Sequence, residues 1–359
     1  MIIFITNSTD SIFWLPIYSL NDKMHESPYF PFLLITQLSI FLSTAYVIIR
    51  TCSIFVNIKV FHENMNILMA WFLFQWFEAI LAKLVIIPYQ LGLILISDKK
   101  RTIFNWWTDK KEEMVQVEDQ IRFLPLFISC LVLWHYMYSM IFAIVIMGVE
   151  RLIATFYIQD YESVPRRHIA ILLILITNLI TIPYSYCIIT NRIPFIIAYI
   201  QCFLNASACF FGYLALWRVN VMLRNRMEQG NDNDKYCLAR KFQVEENIRS
   251  LVLAKKAVLA TVIYLSASLI VLILLVSGVF QGFEKLFVHI LDNVILGAAP
   301  TLCITLLFCS PAWKDSFISQ IPLIRNYRNP RVSFMNFKSN ESKLSESEVY
   351  FTQLKKSWV

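Results

Sequence analysis

Seven long apolar stretches divide this chain, and their length decides what it can fold into. Five carry no formal charge: Phe30 to Ile49, Phe123 to Val149, Ile169 to Thr190, Ile193 to Trp217 and Ala257 to Phe280. At about 1.5 Å of rise per residue, ~20 residues of helix cross a hydrocarbon core roughly 30 Å thick. Two further stretches are as long but hold charges, Glu78 and Lys83 within Met65 to Ile96, and Asp292 within Leu286 to Pro311. With 57% apolar and only 16% charged residues among 359, a soluble core cannot absorb such runs, since charged residues make up about 25% of ordinary soluble domains. The expected fold is all-α, a seven-transmembrane helix bundle whose helices satisfy their own backbone because lipid offers no partner. The short alternating segments of a transmembrane β-barrel do not occur.

The loops orient the bundle. With the N-terminus outside, 22 of the 32 Lys and Arg residues fall on the cytoplasmic side, nine fall outside and Lys83 lies in the membrane. The positive-inside rule therefore predicts an outer N-terminus and a cytoplasmic C-terminus. A net charge of +7 is explained by this asymmetry facing an anionic inner leaflet, so no nucleic-acid partner is expected. Asn7-Ser8-Thr9 is a glycosylation acceptor on the outer side. Asn205-Ala206-Ser207 and Asn340-Glu341-Ser342 match the same pattern inside a helix and in the cytoplasm, which shows how little the motif proves alone.

Three parts follow: an extracellular segment over residues 1–28, the bundle over residues 29–311, and a cytoplasmic tail over residues 312–359. The longest inner loop runs from about Arg218 to Lys256 and is the richest in positive charge. The tail opens with Trp313, Phe317, Ile321 and Ile324, a spacing that suits a short helix on the membrane face; beyond Arg331 it turns serine-rich and is expected to be disordered. The eight cysteines lack paired metal-ligand spacing. Cys130 and Cys187 stand in the outer halves of the third and fourth helices, as a disulfide or as two buried thiols. No metal or cofactor is expected.

Glu150-Arg151-Leu152-Ile153-Ala154-Thr155 closes the third helix. An arginine there reaches the cytosol, a neighbouring helix or a docked partner; the alternative is a boundary arginine that snorkels to the interface. This block, continued by Phe156 and then Asp160-Tyr161-Glu162, resembles the nematode serpentine chemoreceptors of class epsilon. Trp14-Leu15-Pro16-Ile17-Tyr18 and Pro311-Ala312-Trp313-Lys314 strengthen the likeness, which spans about Trp14 to Ile321. The resemblance implies a seven-transmembrane G-protein-coupled receptor in the plasma membrane of a sensory neuron, carrying an external small-molecule signal to a heterotrimeric G protein. On that reading Glu150 and Arg151 serve G-protein coupling. The chain departs from the rhodopsin-like pattern at Leu152, at the sixth helix without Trp or Pro, and at Cys303 in place of a tyrosine. Pro300 remains able to bend the seventh helix.

The membrane charges cost roughly 2.5–3.5 kcal/mol each at a helix centre. Glu78 and Lys83 lie too far apart around their helix to pair, so Lys83 is expected to meet Asp292 across the bundle while Glu78 faces a hydrated interior. Alternatively, the three charges only fix helix packing. Candidate ligand-binding residues form three polar faces: His135, Tyr138 and Ser139 on the third helix, Gln201 and Asn205 on the fifth, and His289, Asp292 and Asn293 on the seventh. Such faces make either a pocket or interhelical hydrogen bonds of about 0.6 kcal/mol each.

Rival functions fit less well. A transporter or ligand-gated channel needs a continuous polar path, and the sixth helix has no charge between Ala257 and Phe280. An enzyme needs a catalytic constellation, but no HExxH or nucleophile motif occurs.

Overall fold

The computed structural model describes residues 1–5, 11–22, 26, 28–58, 60–97, 103, 114–157, 161, 166–228, 238–276 and 284–320, with the side chains at 195, 199, 228, 238–240, 242, 276, 284, 285 and 292 excepted. Asn7, Asp160, Glu162, the Asp292 side chain and the tail beyond residue 320 lie outside these residues.

Nine helices are described: α1 Phe30–Asn57, α2 Glu63–Phe74, α3 Trp76–Gln90, α4 Gln120–Phe156, α5 Arg167–Ile189, α6 Phe195–Glu228, α7 Leu238–Val276, α8 Glu284–Cys309 and α9 Pro311–Ser319. Six spans are long and apolar enough to cross a membrane: α1, α2 with α3, α4, α5, and the bulk of α6 and α7. A seventh is reached when α8 and α9, which break at Ser310 and bend by 112°, are counted as one span. Leu34, Leu38 and Leu42 on α1 and Leu172, Leu175 and Leu179 on α5 are exposed, as side chains facing lipid tails should be.

Several ends are set by local chemistry. Asp119 caps α4, accepting from the N–H groups of Ile121 and Arg122 at 3.0 Å each, which satisfies donors no helical carbonyl can reach. His62 caps α2 through Nδ1, which accepts from Asn64 N at 3.3 Å. After the 112° bend, Trp313 is fully buried, its indole N–H donating to the Ile58 carbonyl at 3.2 Å. Its ring lies 4.4 Å from that of Phe55 and 5.3 Å from that of Phe61. The Pro-Ala-Trp sequence thus turns the chain and pins it against the end of α1.

Two features depart from the sequence expectation. The long inner loop is mostly helix: α6 runs to Glu228 and α7 begins at Leu238, so only residues 229–237 separate them. Apolar length measures the hydrocarbon thickness, and a helix continues past it wherever polar side chains can carry it into water. The segment before α1 is also not a simple arm. Strands β1 Ile2–Ile5, β2 Ser11–Trp14 and β3 Val115–Val117 form a sheet in the order β2-β1-β3. β1 and β2 are antiparallel with Ile2 opposite Trp14, and β1 and β3 are parallel with Ile3 opposite Val115. Ile2, Ile3, Trp14, Leu15 and Ile17 are almost fully buried, so this segment joins the core of the bundle.

Candidate functional site

Two regions of the bundle are built for more than packing. One is a cavity at the end covered by the sheet; the other is a buried polar cluster around Arg151 at the opposite end of α4.

The cavity, about 180 Å³, is bounded by Trp134, Tyr138 and Ile141 of α4, Thr261, Tyr264 and Ser268 of α7, Val294 and Ala298 of α8, and Trp14, Leu15 and Tyr18 of the N-terminal segment. Among the described residues no Asp, Glu, Lys, Arg or His lines it. Trp14 fixes this wall: its ring lies 4.6 Å from that of Trp134, whose indole N–H donates to the Trp14 carbonyl at 3.2 Å. Trp134 also stacks near Tyr138 at 5.8 Å, and Tyr138 meets Tyr184 edge-on at 4.6 Å.

The residues singled out in the sequence separate into distinct places. Tyr138 alone of the seven candidates with described side chains lines this cavity. His135 and Ser139 turn instead toward α3 and α5. His135 Nδ1 lies 3.3 Å from Glu78 and its Nε2 3.2 Å from Asn178. Ser139 Oγ lies 3.3 Å from His135 Nε2 and 3.4 Å from Thr181. Gln201 accepts a hydrogen bond from Tyr184, and Asn205 is half-buried on α6. His289 and Asn293 line a second, smaller cavity of about 140 Å³ with Lys83, Asp22 and Gln37. Spacing of three and four residues identifies a shared helix face but not which neighbour that face meets. Glu78, expected beside a hydrated interior, lies against His135. Lys83 is buried and donates to Gln90 on its own helix at 3.0 Å. Cys130 and Cys187 are both free thiols.

At the other end, Glu150 and Arg151 are both fully buried. Arg151 donates to Glu150 through Nε at 2.5 Å and through a terminal nitrogen at 2.7 Å. Its other terminal nitrogen faces α7, lying 3.3 Å from Glu246, 3.3 Å from Asn247 and 3.4 Å from Ser250. Asn247 also donates to Asn220 on α6 at 3.2 Å and to Thr155 at 3.3 Å. Glu150 accepts from the Tyr161 hydroxyl at 2.7 Å, and that hydroxyl accepts from Asn64 at 2.9 Å. Burial, and next the Glu150 charge, push the Tyr161 phenol above its ordinary range, so it stays a donor. A guanidinium removed from water needs every N–H matched to be tolerated, and this planar fork is matched on two sides. The arrangement excludes the snorkelling alternative, because Arg151 points into protein. Glu246, Asn247, Ser250 and Asn220 stand outside the candidate residues that the sequence offers. Their signal was Glu246-Asn247 followed three residues later by Ser250, one helical face hidden in what read as a loop.

The chain matches the Sre G protein-coupled chemoreceptor family over residues 1–359. It is 48% identical to serpentine receptor class epsilon-37 of Caenorhabditis elegans, with 100% of both chains covered. To serpentine receptor class epsilon-38 of the same organism it is 39% identical, over 98% of this chain and 99% of that one. No solved structure matches it. This chain, a helical bundle with an apolar cavity at one end and a buried, interhelical arginine at the other, therefore belongs to the Sre family of serpentine receptors, chemoreceptors of the G-protein-coupled class.

Proposed function

We propose that the cavity beneath the sheet holds the external small molecule and that the Arg151 end faces the cytoplasm and the heterotrimeric G protein. Residues 1–28 are then extracellular, with Asn7 open to glycosylation, residues 29–311 span the plasma membrane of a sensory neuron, and residues 312–359 are cytoplasmic. The excess of Lys and Arg at the Arg151 end supports this orientation. No catalytic step is assigned to the chain.

The observation that carries the reading is that α4 and α7 wall the cavity together and meet again through Arg151. Tyr138 and Arg151 are separated by 13 residues of one continuous helix, about 20 Å. A ligand that alters how α4 and α7 sit around the cavity acts on the same pair of helices that Arg151 ties. Activation needs only that the ligand bind the untied arrangement more tightly than the tied one. His135, Ser139, Gln201, Asn205, His289 and Asn293 act in this scheme by holding helices in register rather than by touching the ligand, and Glu78 and Lys83 set the packing of α3 against its neighbours.

The test is nucleotide exchange on a purified heterotrimeric G protein, reconstituted with the receptor and screened against volatile and secreted small molecules. An active compound should lose its effect in Ala298→Phe, which fills the cavity, while that variant reaches the cell surface normally. A compound that works equally well on Ala298→Phe places the ligand elsewhere.

A further inference from the structure

The lining of the cavity specifies the chemistry of its occupant, given the reading that the cavity is the ligand site. Charge is excluded first. Among the described residues no carboxylate, ammonium, guanidinium or imidazole side chain lines the wall. The terminal ammonium of Met1 is already committed to the Leu15 and Ile17 carbonyls at 2.6 and 2.8 Å. An ionic ligand would therefore find no ionisable side chain to pair with there, at a cost that tracks that of a charge at a helix centre.

Polar contacts are the second constraint. Four of the lining hydroxyls have their protons committed to backbone carbonyls: Thr261 to Ala257 at 3.0 Å, Ser268 to Tyr264 at 2.8 Å, Thr301 to Gly297 at 2.8 Å, and Tyr264 to Val294. The Tyr136 hydroxyl has no partner among the described residues but is fully covered. Tyr138 is different. Its ring is held by Trp134 and Tyr184, its side chain is 5% exposed, and its hydroxyl makes no hydrogen bond among the described residues. We propose that the cavity takes an uncharged, largely apolar molecule with one hydroxyl or carbonyl group, which pairs with the Tyr138 hydroxyl, and that Trp14 and Leu15 of the N-terminal segment set its length.

Both an external compound and a bilayer acyl chain share this chemistry, so the experiment separates them. Purified full-length receptor in lipid nanodiscs is titrated with 1-aminoanthracene, an uncharged aromatic probe whose fluorescence rises in apolar sites. Octan-1-ol, octane, octanoate and octylammonium then compete. Saturable probe binding is expected in the wild type and lost in Ala298→Phe. Octanoate and octylammonium should compete at least ~100-fold more weakly than octan-1-ol. Tyr138→Phe should weaken octan-1-ol about fivefold, the worth of one hydrogen bond, and leave octane unchanged. Leu15→Ala should move the best-competing alcohol to a longer chain; Trp14→Phe, a milder change, should do the same if Leu15→Ala fails to fold.

Charged octyl compounds competing within tenfold of octan-1-ol would overturn the ligand class. An unaltered octan-1-ol constant in Tyr138→Phe removes the polar anchor, and an unaltered chain-length optimum in both wall variants removes the N-terminal segment from selectivity. Competition constants that differ between nanodiscs of saturated and of methyl-branched phosphatidylcholine would make the occupant a lipid tail. Absence of saturable binding in the folded wild type is a different failure: it brings down the cavity as ligand site, and with it the reading on which this inference rests.

Discussion

The Trp76 indole N–H donates to the carbonyl of Leu296 at 3.0 Å, and Leu296 stands four residues before Pro300 in α8. In a regular helix the N–H of residue 300 would bond that carbonyl, but proline has none. A side chain from α3 therefore supplies the hydrogen bond that the proline removes, in a membrane interior where water cannot. Trp76 is 1% exposed, so its own N–H needs this partner equally.

Trp76→Phe should thus destabilise the receptor by about 1–3 kcal/mol, the cost of leaving a buried polar group unpaired. In a Pro300→Ala background the alanine N–H restores the helical bond, and the same substitution should cost clearly less. Thermal melts of the four proteins form a double-mutant cycle. Additive losses would mean that Trp76 serves only as bulk.

Glu150 and Glu246 both contact Arg151, yet removing them should have opposite consequences. Glu150 is fully buried and holds Arg151 by two hydrogen bonds. Glu150→Ala strands a buried guanidinium and the Tyr161 hydroxyl, a loss on the order of 3–5 kcal/mol, and little folded receptor should be recovered. Glu246 is 15% exposed at the side chain, and Glu246→Ala leaves the Glu150 pair intact while removing an ionic contact from α4 to α7. That variant should fold and raise basal nucleotide exchange several-fold. Gel filtration of tagged receptor and exchange without ligand measure the two effects. Equal yields of the two variants would contradict the asymmetry.

Two glycines mark where tyrosines cross between helices. Tyr264 donates to the Val294 carbonyl beside Gly297, and a Cβ at Gly297 would sit 2.6 Å from the Tyr264 hydroxyl oxygen. Tyr213 donates to the Ile144 carbonyl at 2.5 Å beside Gly148, where an added Cβ would meet the hydroxyl at 3.3 Å. Gly297→Ala should cost about 1–3 kcal/mol as overpacking, and Tyr264→Phe should recover part of it by withdrawing the oxygen. Gly148→Ala should cost less than Gly297→Ala. Melting midpoints decide both comparisons.

The seven spans were readable because hydrocarbon thickness imposes a length on apolar sequence, and that rule needs no tertiary information. What it could not supply is visible at particular residues. Glu246 and Asn247 sit on α7 beyond the membrane's apolar requirement, so a rule based on apolarity placed them in a loop. His135 and Tyr138 share a face of α4 by spacing, yet one meets Glu78 and Asn178 while the other lines the cavity. The step of three residues from one to the other rotates the helix by roughly 300°, leaving side chains about 60° apart, enough for different neighbours. Trp14 and Leu15 stand out in the sequence only through the family likeness of Trp14-Leu15-Pro16-Ile17-Tyr18. Their place in the cavity wall depends on the pairing of β1 with β3, a contact more than a hundred residues long in sequence.

His62 couples the receptor's stability to pH. Its Nδ1 must be unprotonated to accept from Asn64 N and cap α2, and its backbone N–H donates to Glu246 at 2.6 Å. Burial, the largest influence, depresses the imidazole below its ordinary value of 6.5, against the opposing pull of Glu246 and Glu150. The unfolded chain therefore binds a proton at this residue at a pH where the folded receptor does not. The linkage relation then gives stability that rises with pH across this window. This contribution is complete above about 6.5 and is lost as pH falls through that value toward the lower folded-state value. Wild-type melting midpoints should drop between about pH 7 and the mildly acidic range, beyond whatever slope the carboxylates produce. His62→Asn keeps a side-chain oxygen able to cap the helix but cannot titrate, so its midpoint should change less over the same interval. Parallel melting curves for the two proteins at every pH would show that protonation of His62 is not what the fold resists.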